Sequence, residues 1–154
     1  MSLFSFSSLP KAEKDFSVAI VVADFNEDLT KAMLEIALKT LRKAKIENVF
    51  VQNVPGSFEI PFAVKLLQNS KNFDGILTLG CIIKGETPHF NYVAQNCAWG
   101  IMKCNLESSI PVIFGILTCY DNQQAEDRLE KSSDFVKSLI EQMNLVFQLN
   151  DKII

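Results

Sequence analysis

The sequence lacks the features that mark secreted, membrane-spanning or nucleic-acid-binding proteins. The first ten residues contain no basic residue, and no apolar run elsewhere approaches the ~20 residues that a bilayer-spanning helix needs. Fifteen Lys and Arg against 18 Asp and Glu give a net charge of −3, which argues against a broad basic surface. We therefore expect a cytoplasmic protein that binds small molecules or copies of itself, with no nucleic acid and no membrane as partner.

Histidine is almost absent, and the cysteines are not paired in sequence. His89 is the only histidine, and Cys81, Cys97, Cys104 and Cys119 include no C-x-x-C motif. This pattern predicts reduced, mostly buried thiols, with neither a disulfide framework nor a zinc site.

What the sequence does contain is a regular alternation of two patterns. Four short runs rich in Val, Ile and Phe are typical of strands that a parallel sheet buries on both faces. They span residues 18–23, 48–54, 75–83 and 112–117. Helical patterns follow them at residues 29–44, 57–68, 87–106 and 123–147.

Strict alternation of strand and helix predicts an α/β fold. We expect a three-layer sandwich with flavodoxin-like topology, in which helices flank a four-stranded parallel sheet. With 154 residues, 48% of them hydrophobic, the chain is predicted to be one domain over 1–154. Residues 1–15 precede the first strand as an N-terminal arm, either disordered or docked on a neighbour.

The third predicted helix is unusually poor in charge. Between Pro88 and Asn105 only Lys103 carries a full charge, and Trp99 lies off the apolar stripe. Such a helix is covered on more than one side, either by central burial within one subunit or by a subunit interface. We favour the interface, and with it a homo-oligomer.

Ligands of parallel α/β sheets gather at the carboxyl ends of the strands, so the strand-to-helix loops are the places to search. After the third strand, Gly85 allows a tight turn, Thr87 can cap a helix, and Pro88 suits its first position. The free N–H groups of such a helix start bind phosphate. His89 in the first turn of this helix is placed to transfer protons as a general acid or base, although a histidine without a role is equally compatible.

The other three loops add further candidates. Phe25 and Asn26 offer stacking and hydrogen bonds to a planar heterocycle, while Glu59 at a helix start can accept hydrogen bonds from a polyol. Arg128 is suited to a two-pronged grip on phosphate. The plainer alternatives are a core position for Phe25 and ordinary solvated charges for Glu59 and Arg128.

Four motifs in one order carry a specific resemblance. They are Phe25-Asn26, residues 54–61, residues 85–93, and residues 111–118 followed by Gln124-Ala125 and Arg128. Together, over residues 18–128, they resemble the 6,7-dimethyl-8-ribityllumazine synthase family.

The resemblance implies an activity. The family condenses 5-amino-6-ribitylaminouracil with 3,4-dihydroxy-2-butanone 4-phosphate, releasing phosphate and water, in riboflavin biosynthesis. It is a transferase reaction that uses no cofactor and no metal. The family's sites lie between subunits, which assemble as a pentamer or a 60-subunit shell.

The resemblance also implies site residues. Phe25 would stack on the pyrimidine, and His89 would move protons during imine formation and phosphate loss. The remaining substrate contacts would be Asn26, Ser57, Phe58 and Glu59 to the ring and ribityl chain, Ile82 and Ile83 to the ring edge, and Phe114 from the adjacent chain. Phosphate would be bound by Gly85, Glu86 and Thr87, with Arg128 of the adjacent chain completing the clamp.

The chain departs from the family in two places. Asp24 stands where a basic residue commonly precedes Phe25, and residues 129–134 replace a longer stretch rich in glycine and lysine, with Lys131 the nearest candidate for its lysine. A non-catalytic lumazine- or flavin-binding homologue is the alternative, but the presence of both His89 and Arg128 argues against it.

Overall fold

The computed structural model describes residues 6–153 and contains four parallel strands that alternate with helices. In chain order the elements are β1 (Ser17–Ala23), α1 (Glu27–Lys43), β2 (Asn48–Val54), a 3-10 turn (Ser57–Glu59), α2 (Ile60–Ser70), β3 (Gly75–Ile83), α3 (His89–Glu107), β4 (Val112–Cys119), α4 (Asn122–Glu126) and α5 (Lys131–Ile153). The strand order is β2-β1-β3-β4, with all three ladders parallel. This is the order of the flavodoxin-like fold.

A hydrophobic core lies on each side of the sheet. Strand side chains alternate between the faces, so Ile20 belongs to one core while Val21 belongs to the other. Met33 of α1 and Ile140 of α5 fill the first core, and Ile101 of α3 is buried in the second, where α2 and α3 cover the sheet. The prediction of an α/β three-layer sandwich is confirmed.

The prediction that all four strands are buried on both faces is wrong for β2 and β4. Every residue of β1 except Ser17, and every residue of β3 except Ile83, is buried. The outer strands leave Phe50 45% and Phe114 40% exposed. In one chain the helices cross over the central strands, so the faces of the two edge strands are only partly covered.

The single helix predicted over 123–147 is in fact two helices. Between α4 and α5 the backbone forms tight turns, in which Arg128 N–H donates to the Ala125 carbonyl and Lys131 N–H to the Arg128 carbonyl, both at 3.0 Å. Neither glycine nor proline occurs in this stretch, so the sequence gives no sign of the interruption. Arg128 therefore lies in a turn and not within a helix.

The arm lies against the last helix of its own chain. Asn144 of α5 accepts a hydrogen bond from Glu13 N–H at 3.0 Å, and its amide nitrogen donates to the Lys11 carbonyl at 2.9 Å. Leu9 and Ala12 pack against the core beneath. Residues 9–13 are therefore ordered against their own chain, and the predicted alternative of disorder is wrong for them, whereas residues 1–5 lie outside the described residues.

α3 is covered on one side only. Cys97 and Ile101 are buried against the sheet, but Trp99 is 64% exposed. Central burial within one subunit, the alternative for this helix, is therefore wrong for the single chain. Within residues 6–153, none of the helices has the length and apolar character needed to cross a membrane.

Candidate active site

A cavity of about 700 Å³ lies at the carboxyl edge of the sheet. We call it the main cavity. It is lined by Phe25, Gly56, Ser57, Phe58, Glu59, Cys81, Ile82, Ile83, Gly85, Thr87, His89, Phe90, Tyr92 and Val93. The loops after β1, β2 and β3 all contribute, as expected for parallel strands that end at one edge.

The loop after β1 presents an exposed aromatic ring. Phe25 is 71% exposed and lines the main cavity, so its interpretation as a core residue is wrong. Asn26 follows in the left-handed conformation, with φ 60° and ψ 49°, and its amide nitrogen donates to the Cys81 carbonyl at 2.7 Å. Asn26 thus joins the end of β3 to the loop that carries Phe25, and it does not itself line the cavity.

The ends of β1 and β2 are held together by hydrogen bonds. Phe25 N–H donates to the Pro55 carbonyl at 3.0 Å, and Asp24 N–H donates to the Val54 carbonyl at 2.8 Å. The Asp24 carboxylate accepts a hydrogen bond of 2.7 Å from the Asn53 amide. The acidic residue that departs from the family pattern is therefore occupied in joining these two loops.

The 3-10 turn after β2 forms a second wall. Ser57 is buried, whereas Phe58 is 57% exposed and faces the cavity with Glu59. Glu59 immediately precedes α2, where a carboxylate is favoured by the helix dipole. The helix predicted to begin at Ser57 begins as an α-helix only at Ile60.

The loop after β3 leads directly into α3. His89 is exposed and is the first helical residue, two positions later than predicted for the helix start. Its N–H lies 3.4 Å from Thr87 Oγ1, a long contact that does not form a regular side-chain cap, and Pro88 precedes the helix instead of opening it. His89 and Thr87 line the main cavity, but Glu86 does not.

The backbone at Gly85 is open to a ligand but does not use the conformational freedom of glycine. None of the glycines has a positive φ, so this turn does not depend on the conformational freedom of glycine. A Cβ added at Gly85 would meet nothing within 4 Å. The space beside its backbone is open, which allows a ligand to approach the peptide N–H groups closely.

Arg128 lies in a second hollow of about 500 Å³, which we call the Arg128 hollow. It is lined by Phe90, Asn91, Ala94, Gln95, Thr118, Cys119, Tyr120, Gln124 and Arg128. The guanidinium donates to the Gln124 carbonyl at 2.8 Å and is otherwise exposed. Phe114, on the outer strand β4, lines neither hollow. One chain therefore does not bring Phe114 or Arg128 to His89.

Five residues of the main cavity were not among the predicted site residues: Gly56, Cys81, Phe90, Tyr92 and Val93. Helical spacing from His89 would have indicated Tyr92 and Val93, which lie one turn further along α3.

Burial, with a smaller contribution from Cys119, raises the pKa of the Cys81 thiol to about 11. The cavity thiol is therefore protonated near neutral pH and is not a nucleophile.

The fold and this cavity define a class: small α/β enzymes that bind their substrate at the carboxyl edge of a parallel sheet. The sequence profile of the 6,7-dimethyl-8-ribityllumazine synthase family matches residues 15–146. This match covers most of the chain, and the chain belongs to the 6,7-dimethyl-8-ribityllumazine synthase family.

Characterised relatives agree. The chain is 47% identical over 138 residues to 6,7-dimethyl-8-ribityllumazine synthase of Limosilactobacillus reuteri, covering 86% of this chain and 91% of the relative. It is 45% identical over 130 residues to the enzyme of the same name from Parabacteroides distasonis, covering 83% and 81%. The Bacteroides fragilis enzyme of that name is 40% identical over 138 residues, covering 85% and 96%.

The family resemblance seen in the sequence is thus confirmed, and with it the transferase activity of lumazine synthase in riboflavin biosynthesis. Nothing in these comparisons supports a non-catalytic binding homologue.

Proposed function

We propose that the main cavity is where this chain binds 5-amino-6-ribitylaminouracil for the lumazine synthase reaction. The observation that carries the proposal is that two exposed aromatic rings, Phe25 and Phe58, share one cavity with Glu59 and His89. An aromatic face stacks on a planar pyrimidine, and a carboxylate at a helix start accepts hydrogen bonds from ribityl hydroxyls. Ser57 supports the turn from beneath, and the backbones of Ile82 and Ile83 meet the ring edge.

The phosphate of 3,4-dihydroxy-2-butanone 4-phosphate is assigned to the start of α3. There the backbone around Gly85, Glu86 and Thr87 is exposed, and the open space beside Gly85 admits a phosphate group. Backbone N–H groups and the positive end of the helix dipole favour an anion at this position.

His89 then lies between the two bound substrates. The amine of the pyrimidine attacks the carbonyl of the phosphate substrate, water leaves as the imine forms, and phosphate leaves in a later step. An imidazole beside both reacting groups can accept and return the protons that these steps move. Holding the two substrates together can supply much of the rate enhancement, because such proximity can be worth up to about 7–11 kcal/mol.

Arg128 and Phe114 complete the site from a neighbouring subunit. Within one chain both residues lie away from the main cavity, and Arg128 is exposed in a hollow of its own. α2 and α3 also expose an apolar surface that a neighbouring subunit would cover. Its largest exposed members are Phe62, Leu66, Trp99, Met102 and Leu106. We propose a pentamer or a 60-subunit shell, in which this surface is buried.

We place the protein in the cytoplasm. All four cysteines are unpaired, as is usual in a reducing compartment.

Mixing two impaired variants tests the shared site. Arg128→Ala removes the cation proposed to bind phosphate. Phe25→Ala combined with Glu59→Ala removes two proposed contacts to the pyrimidine substrate in the main cavity. Both are assayed with the two substrates by following lumazine fluorescence and phosphate release. When the two chains are co-expressed, random assembly leaves about a quarter of the sites with an intact cavity and an intact neighbouring arginine. Activity well above that of either variant is therefore expected.

Two results would contradict the proposal. Co-expressed chains with no more than the summed activity of the two variants would mean that Arg128 serves the cavity of its own chain. If the unaltered protein bound lumazine tightly without releasing phosphate from the substrates, it would be a binding protein and not a synthase.

A further inference from the structure

β3 and the 3-10 turn form two walls of the main cavity, and the walls touch at Gly80. Residues 81–83 follow Gly80 directly along β3 and line the cavity from one side. Residues 57–59 form the turn and line it from another. The separation of the two walls is therefore set by how closely Ser57 approaches the backbone of Gly80.

No side chain fits at position 80 while the turn stays where it is. A Cβ added to Gly80 would lie 2.5 Å from Ser57 Oγ, far inside van der Waals contact. The next nearest atoms are Ile116 Cδ1 at 3.1 Å and Ile60 Cδ1 at 3.5 Å. All three of these residues are buried, so the added methyl group is enclosed by packed side chains.

The Ser57 hydroxyl is the one severe obstacle. The other two neighbours are 3.1 Å and 3.5 Å from the added Cβ, which a small adjustment accommodates. A methyl group at position 80 therefore requires Ser57 Oγ to move by about 1 Å, and because Ser57 is buried among packed side chains we expect the turn to move with it. Phe58 and Glu59 follow Ser57 in the same turn and move with it.

We infer that Gly80 is a positioning residue for the pyrimidine substrate: by lacking a side chain it lets Ser57 lie against β3, which holds Phe58 and Glu59 at their places in the cavity. The inference rests on the proposed assignment of Phe58 and Glu59 to the ring and ribityl chain. Gly80 itself contacts no substrate. It acts through the turn.

The test is the kinetics of Gly80→Ala with both substrates. Displacing binding groups by about 1 Å can cost up to about 100-fold, so we expect KM for 5-amino-6-ribitylaminouracil to rise about 10-fold or more. KM for 3,4-dihydroxy-2-butanone 4-phosphate should change less, because its phosphate is assigned to residues 85–87, which lie outside the displaced turn. Circular dichroism and the melting temperature report whether the fold is retained.

The double variant Gly80→Ala/Ser57→Ala separates positioning from general damage. Removing Ser57 Oγ removes the one contact below 3 Å, so the double variant should recover to the KM of Ser57→Ala alone. Gly75→Ala is the matched control in the same strand. Its Cβ would lie 2.7 Å from Leu139 Cδ1 and 2.8 Å from Met143 on the opposite face of the sheet. It should lower the melting temperature and leave both KM values unchanged.

The outcomes are distinguishable. A normal KM in folded Gly80→Ala would overturn the inference, because the hydroxyl would then have turned aside without moving the turn. If Gly80→Ala does not fold, the double variant decides. The inference would also be overturned if the double variant failed to fold, or if its KM for the pyrimidine substrate stayed above that of Ser57→Ala alone. An unaltered protein that made no lumazine would instead refute the proposed function.

Discussion

The main cavity and the Arg128 hollow share Phe90 at the beginning of α3, yet their linings differ in character. The main cavity combines the aromatic rings of Phe25 and Phe58 with the apolar end of β3. The Arg128 hollow is smaller and is lined largely by polar side chains beside one arginine. One suits a planar ring, and the other supplies a cation for a phosphate. Under the proposed function the reaction needs both hollows, one from each of two neighbouring subunits.

Of the substitutions that test the difference between the two hollows, Arg128→Ala should have the largest effect on activity. Loss of charge-assisted hydrogen bonds to phosphate is expected to lower kcat/KM for 3,4-dihydroxy-2-butanone 4-phosphate by about 100-fold. Calorimetric binding of the pyrimidine substrate should be unchanged. Arg42→Ala, on the last turn of α1, is the control for loss of an arginine elsewhere. Equal losses for the two substrates would mean that the hollow is not specific for phosphate.

His89→Ala should have the next largest effect. A positioned acid–base group is worth roughly 100-fold or more, and holding two substrates together can contribute up to about 7–11 kcal/mol besides. Because bound substrates that are held together can react without this group, we expect kcat to fall about 10- to 100-fold without being abolished, measured under saturating concentrations of both substrates. Unchanged turnover in a folded variant would show that His89 does not transfer the protons.

Phe25→Ala should weaken only the binding of the pyrimidine substrate in the main cavity. Aromatic stacking is worth about 0.5–1.5 kcal/mol, so Kd for the pyrimidine substrate should rise roughly 2- to 12-fold in calorimetry. Phe50→Ala is the matched control, because Phe50 is 45% exposed on β2 but packs near Phe73 and not in the cavity. If both variants bind normally, Phe25 does not stack on the ring.

The smallest expected effect is on the alkylation rate of a cysteine thiol. Each hollow contains one such thiol. Burial raises the pKa of Cys119 in the Arg128 hollow, while the Arg128 charge lowers it, and Cys81 in the main cavity has a pKa of about 11. A raised pKa means less thiolate at a given pH and slower alkylation. Arg128→Met, which keeps the length but removes the charge, should therefore slow iodoacetamide labelling of Cys119 at pH 9.

Mass spectrometry of the labelled peptides gives the rates of Cys119 and of a control thiol in one experiment. Cys104 is the internal control, since neither Arg128 nor Cys119 contributes to its pKa. Faster labelling of Cys119 in the variant would indicate that access, and not charge, controls its reactivity.

Much of the site was predictable because its residues follow strand ends directly. Phe25 comes two residues after β1, and His89 opens α3, so short-range patterns placed them at the correct edge of the sheet. The interruption between α4 and α5 was not predictable. Backbone hydrogen bonds form it, and no glycine or proline marks it in the sequence. The hydrogen bond from the Asn26 amide to the Cys81 carbonyl joins residues 55 apart in sequence, and no local pattern predicts it.

The sequence by itself determined the class of fold, the loops that carry the chemistry and the family, since periodicity and motif order are properties of neighbouring residues. The tertiary structure decided which side chains share a cavity and which do not. Ser57 reaches Gly80 because the 3-10 turn packs against β3, and Arg128 and Phe114 lie away from His89 because β4 is an outer strand. Contacts between distant segments depend on packing, which no local pattern encodes.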